Sequence, residues 1–332
     1  MRLDAPVRGE SALIERIAQR SQDLLSAGWL AVVQGIGDDT AVLQAGGQAL
    51  LWTADMLVEG IHFRLDWIDP HSLGWKSLAV NLSDIAAMGG VPTGALLSLA
   101  LPSERTGGWL DAFVEGFVEC ARTYATPLLG GDTNHAERVV IGVSVLGVVS
   151  GHPVLRSGAQ PGDWVLVTGA LGGSRAGLEA LLACDTAGID LMPHFRPVPR
   201  VEVGALAREL GATAMMDLSD GLAADLPKLL RASGVGAVVF PKQIPVHPVA
   251  YRWAQGRGIE PERFAMAGGE DYELLLTAPP ATAQQMLEQI PPQTGVALSV
   301  IGEITEPREL WLEYPDGKRE PFALAGWDHF TA

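Results

Sequence analysis

The stretch WVLVTGALGGSRAGLEALLA, residues 164–183, decides the fold class. Residues 164–168 form an apolar, β-branched run with the length of a buried strand. The glycine-rich turn GALGGS, 169–174, follows, and 176–183 then carries apolar side chains at helical spacing. Strand, glycine turn and helix in that order make one unit of an α/β architecture.

Similar units lie to either side. Upstream, 139–149 reads as a buried strand running into the turn at Gly151 to Pro153. Before it come a helix over 109–124, a strand over 94–101, and a helix over 72–88 that ends at Gly89 and Gly90 with Pro92 beyond. Two strands, 41–43 and 49–53, flank the Gly46-Gly47 turn, and an amphipathic helix over 12–25 precedes them with Leu13, Ile17, Leu24 and Leu25 on its apolar side. Downstream, a Pro-rich connection at 193–199 leads into a helix, strand and helix series reaching about Ile290, then a short β-rich tail ending in GWDHF. The expectation is an α/β (α+β) chain with mixed sheets flanked by helices, divided into units at 1–150 and 151–332.

Composition narrows the function. The chain has 332 residues, 48% apolar and 19% charged, which is enough for a packed core and excludes wholesale disorder. Its 23 Lys and Arg against 39 Asp and Glu leave a net charge of −16, which repels phosphate backbones and argues against nucleic-acid binding. Cys120 and Cys184 form neither a disulfide framework nor a metal knuckle and read as small packing residues. The N-terminus carries early acids and no unbroken apolar run, and 139–149 is far shorter than the ~20 residues a membrane helix needs. A cytoplasmic protein with no membrane role is expected.

Familiar phosphate-binding and hydrolytic devices are missing. No P-loop is present, because Lys76-Ser77 follows Trp75 rather than glycine, and GALGGSRAG has the wrong spacing for a dinucleotide fingerprint. HExxH and GxSxG do not occur, and DLSDGLAAD places its glycine one position early for an EF-hand.

Instead, aspartates recur beside glycines and small residues, where the local pattern places strand ends and turns. They are Asp38 and Asp39 in GIGDDTAVL, Asp55 in TADMLVEGIHF, Asp84 in AVNLSDIAAMGG, Asp132 in LLGGDTN, Asp217 and Asp220 in MDLSDGLAADL, and Glu270 with Asp271 in AGGEDYELL. Singly, each is ordinary turn chemistry. Together, abutting runs that should be buried, they repel one another and lose hydration unless a cation neutralises them. The chain has four lysines and no arginine cluster in these segments, and all-oxygen ligands favour Mg²⁺ or Mn²⁺. Mg²⁺ bridging carboxylates to phosphates lets an acidic protein bind polyphosphate.

GIGDD, AVNLSDIAAMGG, GGDT, DLSDGL and GGEDYEL, in that order, with GIHF and a terminal GWDHF, resemble the thiamine-monophosphate kinase family. That family shares an ATP-binding superfamily with aminoimidazole ribonucleotide synthetase, selenophosphate synthetase and a hydrogenase-maturation protein. The resemblance implies a two-domain aminoimidazole ribonucleotide synthetase-like fold, a homodimer paired through the N-terminal domains, and ATP held with several Mg²⁺ in a cleft. It implies transfer of a phosphoryl group from ATP to thiamine monophosphate. By position, it implies Asp39, Thr53, Asp55, Asp84, Asp132, Asp217 and Asp220 as metal ligands. It also implies Gly131, Asp132, Arg156 and Ser219 as nucleotide contacts, and His62, Glu270 and Trp327 as contacts to the acceptor. Related sequences place a hydroxyl residue where Ala54 stands here, so one metal is expected to bind more weakly or through an extra water.

The chemistry agrees with the residue inventory. A phosphate monoester has its second pKa at about 6, so the acceptor is already ionised and needs no general base. Charge suppression and in-line geometry are what remain to be supplied. An indole at Trp327 suits a thiazolium or aminopyrimidine ring, a guanidinium at Arg156 suits phosphates, and Glu270 can accept hydrogen bonds from an aminopyrimidine. The amides of GALGGS could cradle an anion at a helix N-terminus. Two alternatives stand beside this expectation: an aminoimidazole ribonucleotide synthetase-type enzyme, and a non-catalytic metal or nucleotide sensor.

Overall fold

The structure, a computed structural model, describes residues 9–22, 25 and 31–323. The first sheet contains β1 (Ala31–Gln34), β2 (Ala41–Ala45), β3 (Gln48–Val58), β4 (Val91–Leu101), β5 (Leu128–His135) and β6 (Val140–Val149). Their order is β1-β2-β3-β6-β4-β5, antiparallel except for the parallel β4–β5 pair. Three helices accompany it: α1 (Glu10–Ser21), α2 (Pro70–Ala87) and α3 (Gly108–Thr123).

The second sheet contains β7 (Trp164–Thr168), β8 (Ala214–Asp217), β9 (Gly236–Val239), β10 (Leu274–Ala278), β11 (Leu298–Thr305), β12 (Leu310–Glu313) and β13 (Arg319–Pro321). It runs β13-β12-β9-β11-β7-β10-β8, with only β12–β9 parallel. Its helices are α4 (Gly173–Leu182), α5 (Met192–Phe195), α6 (Val201–Leu210), α7 (Leu222–Ser233), α8 (Pro248–Gln255), α9 (Pro261–Met266) and α10 (Pro280–Thr294).

Helix α2 joins the two halves. Asp69 caps its N-terminus by accepting from the Ser72 N–H at 2.9 Å, Pro70 starts the first turn, and Gly89 ends it at φ 67°. One side packs on β3, β4, β6 and α3, and the other meets α6 and β8. Such a helix is buried nearly all round, and Leu73, Leu78, Leu82 and Ile85 share one continuous core with Val203, Met215, Leu274 and Met286 from the second half. The α2–α3 approach is close enough that a Cβ at Gly74 would lie 1.9 Å from the Phe113 carbonyl oxygen and one at Gly116 would lie 1.8 Å from that of His71. Glycine is therefore required on both helices.

Several boundaries differ from those expected. The strand starting near 49 continues to Val58, so Asp55 lies inside β3 rather than at a strand end, and LLGGDTN is a strand, β5, rather than a turn. Asp84 lies within α2. Residues 31–34 form a strand not foreseen, and α4 starts at Gly173, earlier than the expected 176. Edge pairing supplied by tertiary neighbours overrides the weak local preference of such glycine-rich segments. Leu24 and the GWDHF tail lie outside the described residues. Among the described residues, no helix is long and apolar enough to cross a membrane.

Candidate functional site

Helix periodicity gives α2 two polar faces. Ser77, Asn81 and Asp84, spaced i, i+4 and i+7, address β3. The Thr53 hydroxyl donates to Asp84 Oδ2 at 2.5 Å, the Asp55 N–H donates to Asn81 Oδ1 at 3.0 Å, and Asn81 Nδ2 donates to the Ser77 carbonyl. Lys76 and Ser83, also i and i+7, address the second half instead. Ser83 Oγ donates to Asp217 Oδ2 at 2.6 Å.

Asp39, Asp84 and Asp217 thereby converge, each offering a carboxylate oxygen within 4.8 Å of the others. Burial and the crowding of Asp55, Asp217 and Asp39 push Asp84 well above the ordinary carboxylate range, and burial with Asp39 does the same to Asp217. Asp55 is solvent-open yet ringed by protein; this partial desolvation and the charges of Asp220 and Asp39 raise it to about 6. Burial and Asp39 raise Asp38 to about 7.

Two protein cations offset part of this charge. Arg156 places Nη2 2.5 Å from Asp39 Oδ1 and Nε 3.3 Å from Oδ2, while its own N–H donates to Asp38. Lys228 reaches Asp220 at 2.6 Å and Asp225 at 2.8 Å. No arginine cluster lies within these segments, as the sequence indicates, and the cationic partners of Asp39 and Asp220 come from 117 and 8 residues away in sequence. Among the described residues, the hydrogen-bond donors to the side chains of Asp84 and Asp217 are the hydroxyls of Thr53 and Ser83. Three buried or half-buried carboxylates crowded together with unspent lone pairs are a donor set that fits a hard divalent cation such as Mg²⁺.

The remaining expected residues are distributed around this cluster. The Ser219 carbonyl accepts the Glu270 N–H at 2.7 Å, and the Tyr272 N–H donates to Leu218 at 3.0 Å, zipping the 268–273 loop onto the DLSD turn. Glu270 Oε1 lies 2.7 Å from Lys76 Nζ and its Oε2 lies 3.3 Å from His194 Nδ1. His62 Nδ1 accepts the Val58 N–H at 3.0 Å, fastening the turn after β3. Gly131 and Asp132 stand apart: Asp55 pairs with Val143, Val143 with Leu97 and Leu97 with Gly131, three strands across. That is roughly 14 Å at sheet spacing. Asp132 accepts from Asn134 Nδ2 at 2.9 Å on the fully exposed β5. Trp327 lies outside the described residues.

Three details were not legible in sequence. Ala54 alternates with Thr53 and Asp55 and pairs with Ser144 on the outer face of the sheet, beside Trp52 and Met56, so its missing hydroxyl would have pointed away from Asp84 and Asp217. The amides of GALGGS are already occupied. Gly172 N–H donates to Asp271 Oδ2 at 2.6 Å and Ser174 N–H to Oδ1 at 3.2 Å, so the helix N-terminus binds the chain's own carboxylate. Lys76 and His194 carried no expected role, yet both contact Glu270.

The profile described as AIR synthase related protein, N-terminal domain, matches residues 37–149, and that described as AIR synthase related protein, C-terminal domain, matches 160–314. Thiamine-monophosphate kinase of Synechococcus elongatus is 41% identical over 309 residues, covering 89% of this chain and 91% of its own. That of Escherichia coli strain K12 is 38% identical, covering 97% and 98%. The structure of AaThiL complexed with AMPPCP and TMP superposes with a TM-score of 0.83 at 33% identity, covering 97% of both chains. Escherichia coli HypE, a hydrogenase maturation protein, shares the fold with a TM-score of 0.73 at 19% identity. The chain is a member of the thiamine-monophosphate kinase family, built on the two-domain AIR synthase-related fold.

Proposed function

We propose that this chain transfers the γ-phosphoryl group of ATP directly to the phosphate of thiamine monophosphate, giving ADP and thiamine diphosphate. The single observation that carries the proposal is the convergence of Asp39 and Asp84 from the first half with Asp217 from the second, in a chain whose relatives carry that kinase name. An acceptor phosphate oxygen bonds to the γ-phosphorus while the bond to the bridging oxygen of ADP breaks. Both reactants are anions that need no deprotonation, and no protein nucleophile is required.

Mg²⁺ held by Asp39, Asp84 and Asp217, with Thr53, Asp55 and Asp220 at the margin, would supply charge suppression and clamping of the phosphate oxygens. The chain's own groups prepare that site. Thr53 and Ser83 orient Asp84 and Asp217, Asn81 fixes the β3 backbone at Asp55, and Arg156 balances Asp39. In this scheme Arg156, Ser219, Gly131 and Asp132 serve the nucleotide, and His62, Glu270 and Trp327 serve the acceptor.

The 1–150 unit is proposed to carry ATP, metal and dimer contacts, with 151–332 completing the cleft in a cytoplasmic enzyme. The outer face of the first sheet supports a homodimer: Trp52 and Met56 on β3 and Leu96 on β4, across the intervening β6, are exposed there.

The test is incubation of purified protein with ATP, Mg²⁺ and thiamine monophosphate, following thiamine diphosphate by chromatography with no-metal and no-acceptor controls. Product that needs both supports the proposal. Folded, ATP-binding protein that yields no thiamine diphosphate sinks it and makes the ribonucleotide synthetase reaction the next assay.

A further inference from the structure

Glu270 is the acceptor contact in the function proposed above, and its surroundings are unusual. Lys76, in the middle of α2, is 1% exposed, and His194, in α5, is 5% exposed. Lys76 Nζ lies 2.7 Å from Glu270 Oε1 and donates to the His194 carbonyl at 3.1 Å. His194 Nδ1 lies 3.3 Å from Oε2 and 2.9 Å from Ser174 Oγ. Each oxygen of Glu270 thus has one partner from a different element. Its side chain nevertheless remains 26% exposed. An ionised carboxylate offers about four lone-pair sites, so acceptor capacity is left on its open side.

The backbone supports the same orientation. Glu270 adopts φ 63°, a left-handed conformation unfavourable for a residue with a Cβ, and the 268–273 loop is pinned to the DLSD turn by the Glu270 and Tyr272 amides. A buried lysine is costly unless paired, and removing one partner of such a pair leaves the other uncompensated. Neither Lys76 nor His194 reaches the carboxylates of Asp39, Asp84 or Asp217 by any hydrogen bond or ion pair, so the trio is separate from the proposed metal ligands.

We infer that Lys76 and His194 are positioning residues that hold Glu270 ionised and in one orientation, so that it recognises an N–H donor of the acceptor, the aminopyrimidine amine, rather than its phosphate. The inference rests on Glu270 being an acceptor contact. Because Lys76 balances the charge of Glu270, recognition depends on hydrogen-bond direction and not on net attraction for a cation.

The experiment is steady-state kinetics of Lys76→Met, His194→Phe and Glu270→Gln in the full chain, with thermal melting of each. Loss of a hydrogen bond to a charged group is expected to raise KM for thiamine monophosphate about tenfold in each variant, leaving KM for ATP within about twofold. The Lys76→Met and Glu270→Gln effects should not multiply in the double variant. If Glu270→Gln alone raises that KM, the positioning role falls while the contact stands. If Glu270→Gln leaves it unchanged, the acceptor contact falls and the positioning role with it. Equal rises in both KM values would also overturn the inference, by making the trio a packing contact. His194→Phe keeps the question decidable if burial of methionine at position 76 prevents folding.

Discussion

Ser83 and Asp217 are 134 residues apart and share a hydrogen bond of 2.6 Å, which ties the central helix to the DLSD turn of the other half. The same carboxylate carries the second half's contribution to the three-acid cluster. A contact that joins the two halves therefore also builds the proposed metal site.

Asp217→Asn should abolish most turnover while leaving the fold intact. The amide can still accept from Ser83 but carries no charge to bind a cation. A loss of at least about a hundredfold in kcat is expected for removing a charged group from such a site. Without metal the variant should melt at or above the wild-type temperature, because one member of a repelling cluster is gone. Near-normal turnover at saturating Mg²⁺ would remove Asp217 from the site.

Arg156→Met should weaken the metal-free protein by about 3 kcal/mol, since Asp39 would be left buried and unpaired. Mg²⁺ should recover more of the melting temperature in this variant than in wild type. Equal metal responses in the two proteins would show that Arg156 and the cation do not share Asp39.

Acidity should stabilise the metal-free protein across the neutral range. A carboxyl with a folded pKa above its unfolded value of about 3.9 contributes stability that is full below the unfolded pKa and lost as pH rises through the folded one. Asp38 and Asp271, each raised to about 7 chiefly by burial, and Asp55 and Asp225, each raised to about 6 chiefly by burial, all have this sign. Glu270 has the opposite sign: burial opposes ionisation, but Lys76 and His194 hold it well below the ordinary range, so its contribution fails only in strong acid. Melting temperature in chelator should fall between about pH 5 and pH 8, and Mg²⁺ should flatten the slope. A slope of the other sign would contradict these environments.

Gly131→Ala should destabilise the first sheet by about 2–3 kcal/mol. Its Cβ would lie 1.7 Å from the Leu97 carbonyl oxygen, and the residue has φ 153°. Urea unfolding measures the loss. Asp132→Asn, which keeps the backbone, is the cleaner probe of nucleotide binding there, and a rise in KM for ATP without a stability change is the expected result.

Met56→Arg should give a folded monomer by light scattering, because it places a charge in the exposed apolar face beside Trp52. A dimer that persists would move the interface elsewhere.

Much of this chain is legible before folding. The apolar run of 164–168 is strand β7 as expected, the α2 and α3 helices begin and end within two residues of their sequence signals, and the aspartates that the spacing singled out include all three of the converging cluster. Local chemistry suffices for these, since periodicity, capping and glycine turns act over a few residues. The burial of α2 between two sheets and the partners of Asp39 and Asp217 depend on contacts between segments 100 or more residues apart, which no local pattern encodes. GALGGS shows the difference: its glycines announce an anion cradle, but only tertiary packing decides that the anion is Asp271. Lys76 shows it too. A helical lysine reads as solvated, and burial beside Glu270, 194 residues later, turns it into a counter-ion, because charge compensation in a low-dielectric interior is set by proximity in space.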